Sequence, residues 1–159
     1  MLRFSTITLL AAAILFGSGC TEKFEDAKYR CKINGKDFIP SKDLIQFDYT
    51  ENPGNDRIRI RGTALATSQL SGNPYGEFEI QFSFNDTALA PVELGYDVVY
   101  YGNNEWDKAY RSSATDPGTI TITSLNKTEK RVTADFELTL YADDGSTLSV
   151  TDGFFDQNW

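Results

Sequence analysis

The chain of 159 residues carries 15 Lys and Arg against 23 Asp and Glu, a formal charge of −8, and it contains no histidine. An acidic chain repels phosphate backbones, so nucleic acid is excluded as an expected partner. Without histidine a Ser-His-Asp or Cys-His nucleophile cannot be assembled, and the commonest metal ligand is missing.

The chain opens with Met1-Leu-Arg3, a short cationic start, followed by an almost wholly apolar run from Ile7 to Phe16. Gly17-Ser18-Gly19 then places small residues directly before Cys20. This is the pattern of a secretory signal peptide. Its apolar run of about ten residues falls short of the ~20 that a spanning helix needs. The segment resembles a bacterial lipoprotein signal, in which a peptidase cuts before a cysteine that then carries acyl chains. The resemblance implies a signal peptide over residues 1–19, lipidation at Cys20 and a lipidated tether over 20–27, with the membrane as a partner through acylated Cys20. Gly17 stands where that pattern usually has Leu or a similar residue, and ordinary secretion with a cut nearby is the alternative. No Asp follows Cys20, which resembles the sorting pattern for the outer membrane. Glu22, Glu25 and Asp26 loosely resemble an acidic surface-export tag and equally suit a solvated linker, so surface-facing and periplasm-facing orientations both stand open.

Removing residues 1–19 leaves 140 residues and takes away one charged side chain, Arg3, so the mature chain carries a formal charge of −9. That length suits one domain, expected over residues 28–159. With Cys20 assigned to lipid, Cys31 is left without a disulfide partner; it alternates with Tyr29 and Ile33 and reads as a buried thiol.

Asn34-Gly35 separates two short alternating runs, the strongest local signal of a hairpin, because both central residues of a type I′ turn need φ > 0. The return strand runs from Lys36 to Ile39 and stops at Pro40. Leu44 to Tyr49 is a further strand, and Asn52-Pro53-Gly54-Asn55 a turn. Arg57 to Ala66 alternates, with Ile58 and Ile60 inward and Arg57, Arg59 and Arg61 outward. Gly76 to Phe84 places Phe78, Ile80, Phe82 and Phe84 inward and Glu77, Glu79 and Gln81 outward. Pairing of these two strands sets the arginines against the glutamates, each such pair contributing ~0.2–1 kcal/mol.

Farther on, Gly95 to Tyr101 brings Tyr96, Val98 and Tyr100 to one face, and residues 102–117 form the least regular stretch. Thr119 to Leu125 is a strand with Ile120 and Ile122 inward. Arg131 to Tyr141 alternates over its whole length, with Val132, Ala134, Phe136, Leu138 and Leu140 inward. Asp143-Asp144-Gly145-Ser146 makes a turn, and Thr147 to Phe155 returns with Leu148 and Val150 inward, broken by a bulge at Asp152-Gly153. No segment has helical periodicity. About nine short strands with one apolar face each predict an all-β, antiparallel two-sheet β-sandwich, immunoglobulin-like or jelly-roll-like.

Three blocks carry a second resemblance: Gly118-Thr-Ile-Thr-Ile-Thr; Asn126-Lys127 with Arg131-Val-Thr-Ala-Asp-Phe136; and Val150-Thr-Asp-Gly-Phe-Phe-Asp156. Together with Cys31-Lys-Ile-Asn-Gly35 they resemble a set of uncharacterised Bacteroidota lipoproteins over most of residues 29–156. Ala134-Asp135 departs from the Gly-Thr pair often found before that Phe. The resemblance implies an envelope lipoprotein with a sandwich domain, and it implies no activity, cofactor or functional residues.

Chemistry is scarce along the chain. No phosphate-cradling glycine loop and no zinc-type cysteine pair is present, and the acidic turn at Asp143 lacks the alternating ligand run of a calcium loop. Neither a cofactor nor a metal is therefore expected. Paired carboxylates could hydrolyse a sugar, but among 23 acidic residues some pair is expected by chance. The expectation is a non-enzymatic binding or scaffold module, with an assembly subunit of an envelope complex as the alternative. Tyr and Trp offer a flat face and a polar tip to a glycan or an envelope protein, and Tyr75, Tyr101, Trp106 and Tyr110 fall in or beside loops, where sandwiches place function. These four are the candidate ligand-binding residues.

Overall fold

The computed structural model describes residues 22–66, 72–86, 89–95, 98–102 and 109–159. Cys20, Tyr96 and Trp106 lie outside them. Eleven strands occur among the described residues: β1 (Tyr29–Ile33), β2 (Lys36–Phe38), β3 (Ile45–Thr50), β4 (Asp56–Ala64), β5 (Gly76–Phe84), β6 (Val92–Leu94), β7 (Val98–Gly102), β8 (Ala109–Arg111), β9 (Gly118–Asn126), β10 (Arg131–Tyr141) and β11 (Thr147–Asn158). The helical content there is two single 3-10 turns, Phe24–Asp26 and Lys42–Leu44. The all-β expectation holds. The two strands that the sequence reading left out, β6 and β8, have three residues each, too few to show a period.

All pairings are antiparallel, in the order β2-β1-β11-β10-β8-β7-β5-β4-β3, with β9 also on β10 and β6 on β9. The sheet branches at β10. Its residues from Arg131 to Glu137 pair with β9, while Tyr141 alone pairs with Arg111 of β8. Curling of this sheet brings its two ends over one core. Phe78 of β5 lies 6.0 Å from Phe136 of β10, centroid to centroid, and Tyr29 of β1 donates its hydroxyl to the Phe78 carbonyl at 3.2 Å. Phe47 of β3 meets Phe155 of β11 at 6.2 Å.

The core follows from the alternation. Every inward residue assigned on β4, β5, β9 and β10 is buried, from Ile58 and Ile60 through Phe78 to Phe84, Ile120, Ile122 and Val132 to Leu140. On β11, Val150 is buried and Leu148 half-buried against the same core. Alternation on a pleated strand sends successive side chains to opposite faces, so a single hydrophobic set fixes the register.

The turns behave as their residues dictate. Asn34 and Gly35 take φ of 51° and 75° between Ile33 and its partner Lys36, the geometry of a two-residue I′ hairpin. Asp152 has φ 50°, and the register of β11 slips there against both β1 and β10. That is the anticipated bulge. Gly118 starts β9 where a Cβ would lie 2.0 Å from the Leu138 Cβ and 2.6 Å from the Glu137 carbonyl oxygen, so the strand can approach β10 only with glycine there.

Candidate binding cleft

Three charge networks account for many of the ionic side chains, and each ties strands together. Arg59 bonds Glu79 through Nε and an Nη at 2.9 and 3.0 Å, and Arg61 Nε adds a third bond at 2.9 Å. Of the arginine row anticipated from sequence, Arg59 and Arg61 are thus matched to glutamate, while Arg57 lies opposite Ser83. Burial opposes ionisation of Glu79, but the two guanidinium groups outweigh it and hold the carboxyl below its usual range.

Asp56, at the start of β4, is buried. It accepts the Tyr49 hydroxyl, the Asn52 amide at 2.9 Å and the Lys127 ammonium at 2.8 Å, and Lys127 also reaches Asp86 at 2.6 Å. Burial again opposes ionisation, and these donors again outweigh it. Asp156 on β11 accepts from Arg131 at 2.7 and 2.6 Å and from Lys28. Such pairs hold strands in place, and Lys28, Arg131 and Asp156 also line an open cleft of about 550 Å³ with Lys42 and Ile45, where the carboxylate is already saturated by its two cations.

Cys31 is fully buried, and burial pushes its thiol far up, away from reactivity. The acidic turn after β10 is a hairpin turn: Gly145 has φ 81°, and the Ser146 amide and hydroxyl donate to Asp144 at 2.9 and 2.6 Å. Among the described residues no three or more His, Cys, Asp or Glu side chains are grouped so as to hold a metal ion.

A second cleft is walled by aromatic side chains. This cleft, of about 490 Å³, is lined by Ile33, Asn34 and Lys36 of the first hairpin, by Asn73 to Tyr75 ahead of β5, and by Tyr100, Tyr110 and Leu148. That volume is in the range of small-ligand pockets. The hairpin tip is clamped to β11, with the Asn34 amide donating to the Ser149 carbonyl at 2.8 Å and the Ser149 amide to Asn34 Oδ1 at 2.9 Å. The opposite wall is built on Tyr100. Its hydroxyl donates to the Tyr75 carbonyl at 2.7 Å, its ring stands edge-on to Phe38 at 5.8 Å, and the Tyr110 ring lies 6.5 Å away. Gly102 leaves room for this wall, because a Cβ there would lie 2.5 Å from the Tyr100 ring. Burial raises the Tyr100 hydroxyl well above its usual range, so it stays a neutral donor. The Tyr110 hydroxyl lies 3.3 Å from the Ser146 hydroxyl, whose own hydrogen goes to Asp144, so Tyr110 is the donor of this pair.

Of the four aromatic candidates, Tyr75 and Tyr110 are brought together on this cleft. Tyr101 is half-buried and, next to buried Tyr100 on β7, faces the opposite side of the sheet. Trp106 lies outside the described residues. Sequence reasoning missed Lys36, Asn73, Pro74 and Leu148, and it placed Tyr100 on one face with Tyr96 and Val98 without a role in a wall. The cue for Lys36 was its place at the exit of the Asn34-Gly35 turn, but what that hairpin faces depends on the β1–β11 pairing.

Comparison with known proteins returns no match: no family model, no curated protein and no solved structure is similar to this chain at a significant level.

Proposed function

We propose that this chain is a lipid-anchored protein of the bacterial outer membrane, of the uncharacterised Bacteroidota lipoprotein kind, whose domain binds a glycan non-enzymatically in the tyrosine-walled cleft. The observation that carries the reading is the cleft itself, where Tyr75, Tyr100 and Tyr110 stand opposite the first hairpin. Rings with polar tips, set among amides and backbone carbonyls, suit a ligand with both apolar faces and hydroxyls. The Gly17-Ser18-Gly19-Cys20 sequence supports the anchor, since two or more acyl chains hold a protein stably in a bilayer. The contacts of Phe78 with Phe136 across the core support a sandwich-like arrangement of facing layers, open at the end that carries the cleft.

The test is a panel of oligosaccharides presented to the detergent-solubilised full-length protein, beside its Tyr110→Ala variant. The reading expects binding to at least one glycan class and its loss in the variant. Indifference of the wild type to every sugar would overturn it. Protease shaving of intact cells, followed through a C-terminal tag, then decides between surface-facing and periplasm-facing orientation.

A further inference from the structure

We propose that the ligand of the cleft is an acidic carbohydrate, a glycan bearing a sugar carboxylate, and that Lys36 is the residue that selects it. The inference rests on the glycan-binding reading above and deepens it. The first observation is the charge of the cleft. The chain has 23 Asp and Glu against 15 Lys and Arg, yet among the described residues that line this space there is one lysine and no carboxylate. Asp144, linked to Tyr110 through Ser146, is engaged by the Ser146 amide and hydroxyl.

The second observation is the state of that lysine. Lys28, Lys32, Lys42, Arg59, Arg61, Lys127 and Arg131 are all committed to carboxylates. Lys36 is exposed and, among the described residues, has no ion-pair partner. Its Nζ reaches across toward Gly72, 3.8 Å from where a Cβ would stand, so the ammonium sits over the wall formed by the loop ahead of β5. Residue 72 being glycine, no side chain lies beneath it. An exposed ammonium at the cleft, with no counter-charge among the described residues, is a ready partner for a ligand carboxylate, and a charge-assisted hydrogen bond is about twice as strong as a neutral one.

The third observation is what accompanies the charge. Asn34 uses its Oδ1 on Ser149, which turns its two amide hydrogens outward as donors. With Asn73 and the tyrosine hydroxyls on the same lining, the cleft offers many neutral polar groups and flat rings around one cation. That set fits a polyhydroxylated ring with a single acid. A phosphate or sulfate cluster calls for several cations. An extended acidic peptide calls for a row of lysines, and the described lining has one.

The experiment compares acidic oligosaccharides, such as oligogalacturonate, with their methyl esters, which keep the shape and remove the charge. Calorimetry uses the detergent-solubilised full-length protein. The wild type is expected to bind an acid on the order of tenfold tighter than its ester, and added salt is expected to shrink that preference. Lys36→Gln should abolish the preference. Arg57→Gln, which removes the same charge from an exposed site on β4, should keep it. Equal binding of acid and ester in the wild type, with Tyr110→Ala still abolishing both, would overturn the inference and leave the glycan reading standing. Failure of every sugar would overturn both, and Lys36-dependent binding of a poly-glutamate peptide in their place would reassign the cleft to an acidic protein partner.

Discussion

Replacement of Asp156 by Asn tests whether the network at the β10–β11 ladder stabilises the fold electrostatically or only fills space. The Asp156 side chain is 7% exposed and accepts two hydrogen bonds from Arg131 and one from Lys28. The Arg131 bonds, opposed by burial and helped by Lys28, lower its pKa from 3.8 to about 2. A displacement of that size corresponds to about 2 kcal/mol of folding free energy. Since Lys28 and Arg131 are themselves 58% and 49% exposed, solvent screens the pair, and 1–2 kcal/mol is the expected contribution. The folded pKa is depressed, so this stability is fully present above the unfolded value near 3.8 and is lost as pH falls through about 2. Asn keeps the shape and one acceptor. Urea unfolding should therefore show Asp156→Asn less stable by about 1–2 kcal/mol at pH 7, by roughly half that at pH 3, and by almost nothing at pH 2. An equal deficit at every pH would refute the electrostatic account and leave packing as the cause.

Two further outcomes follow from the packing. Gly118→Ala forces a Cβ to within 2.0 Å of Leu138; it should cost about 1–3 kcal/mol through overpacking, read as a lowered Tm in calorimetry, whereas Gly145→Ala, at φ 81° with open space around it, should cost about 1–2 kcal/mol through backbone strain alone. Cys31, buried and with its thiol pushed up, should resist iodoacetamide in the native protein and be alkylated in urea, as mass spectrometry would show; rapid native labelling would contradict its burial.

Much of the fold was legible because the strands alternate. On β10, Val132, Ala134, Phe136, Leu138 and Leu140 are all buried, and a period of two sustained over eleven residues admits only one face to a core. Asn34-Gly35 and Asp152-Gly153 were equally readable, because the conformations they adopt are ones that few residues accept. What was not legible is long-range. Nothing in the run Arg131 to Tyr141 says that its first half pairs with β9 and its last residue with β8, so the branch was invisible. Half of the cleft was hidden for the same reason. Tyr75 and Tyr110 stood out as aromatic residues near loops, but Lys36 and Leu148 belong to segments that reach them only through the order of strands in the sheet. Short strands such as β8 also escape, since three residues cannot show a period.

One pairing has a bearing on how the chain comes into being. β1 lies between β2 and β11, with Tyr29 opposite Phe155, so the first hairpin finds its neighbour only in the last strand. A two-stranded hairpin by itself is marginal in water, and contacts between remote segments form late because the loop must be closed first. During synthesis β10 can pair with β9 as soon as it emerges, but the first hairpin waits for β11. If the chain is exported as proposed above, that arrangement works as a timer: the hairpin docks only after the last described strand has been delivered.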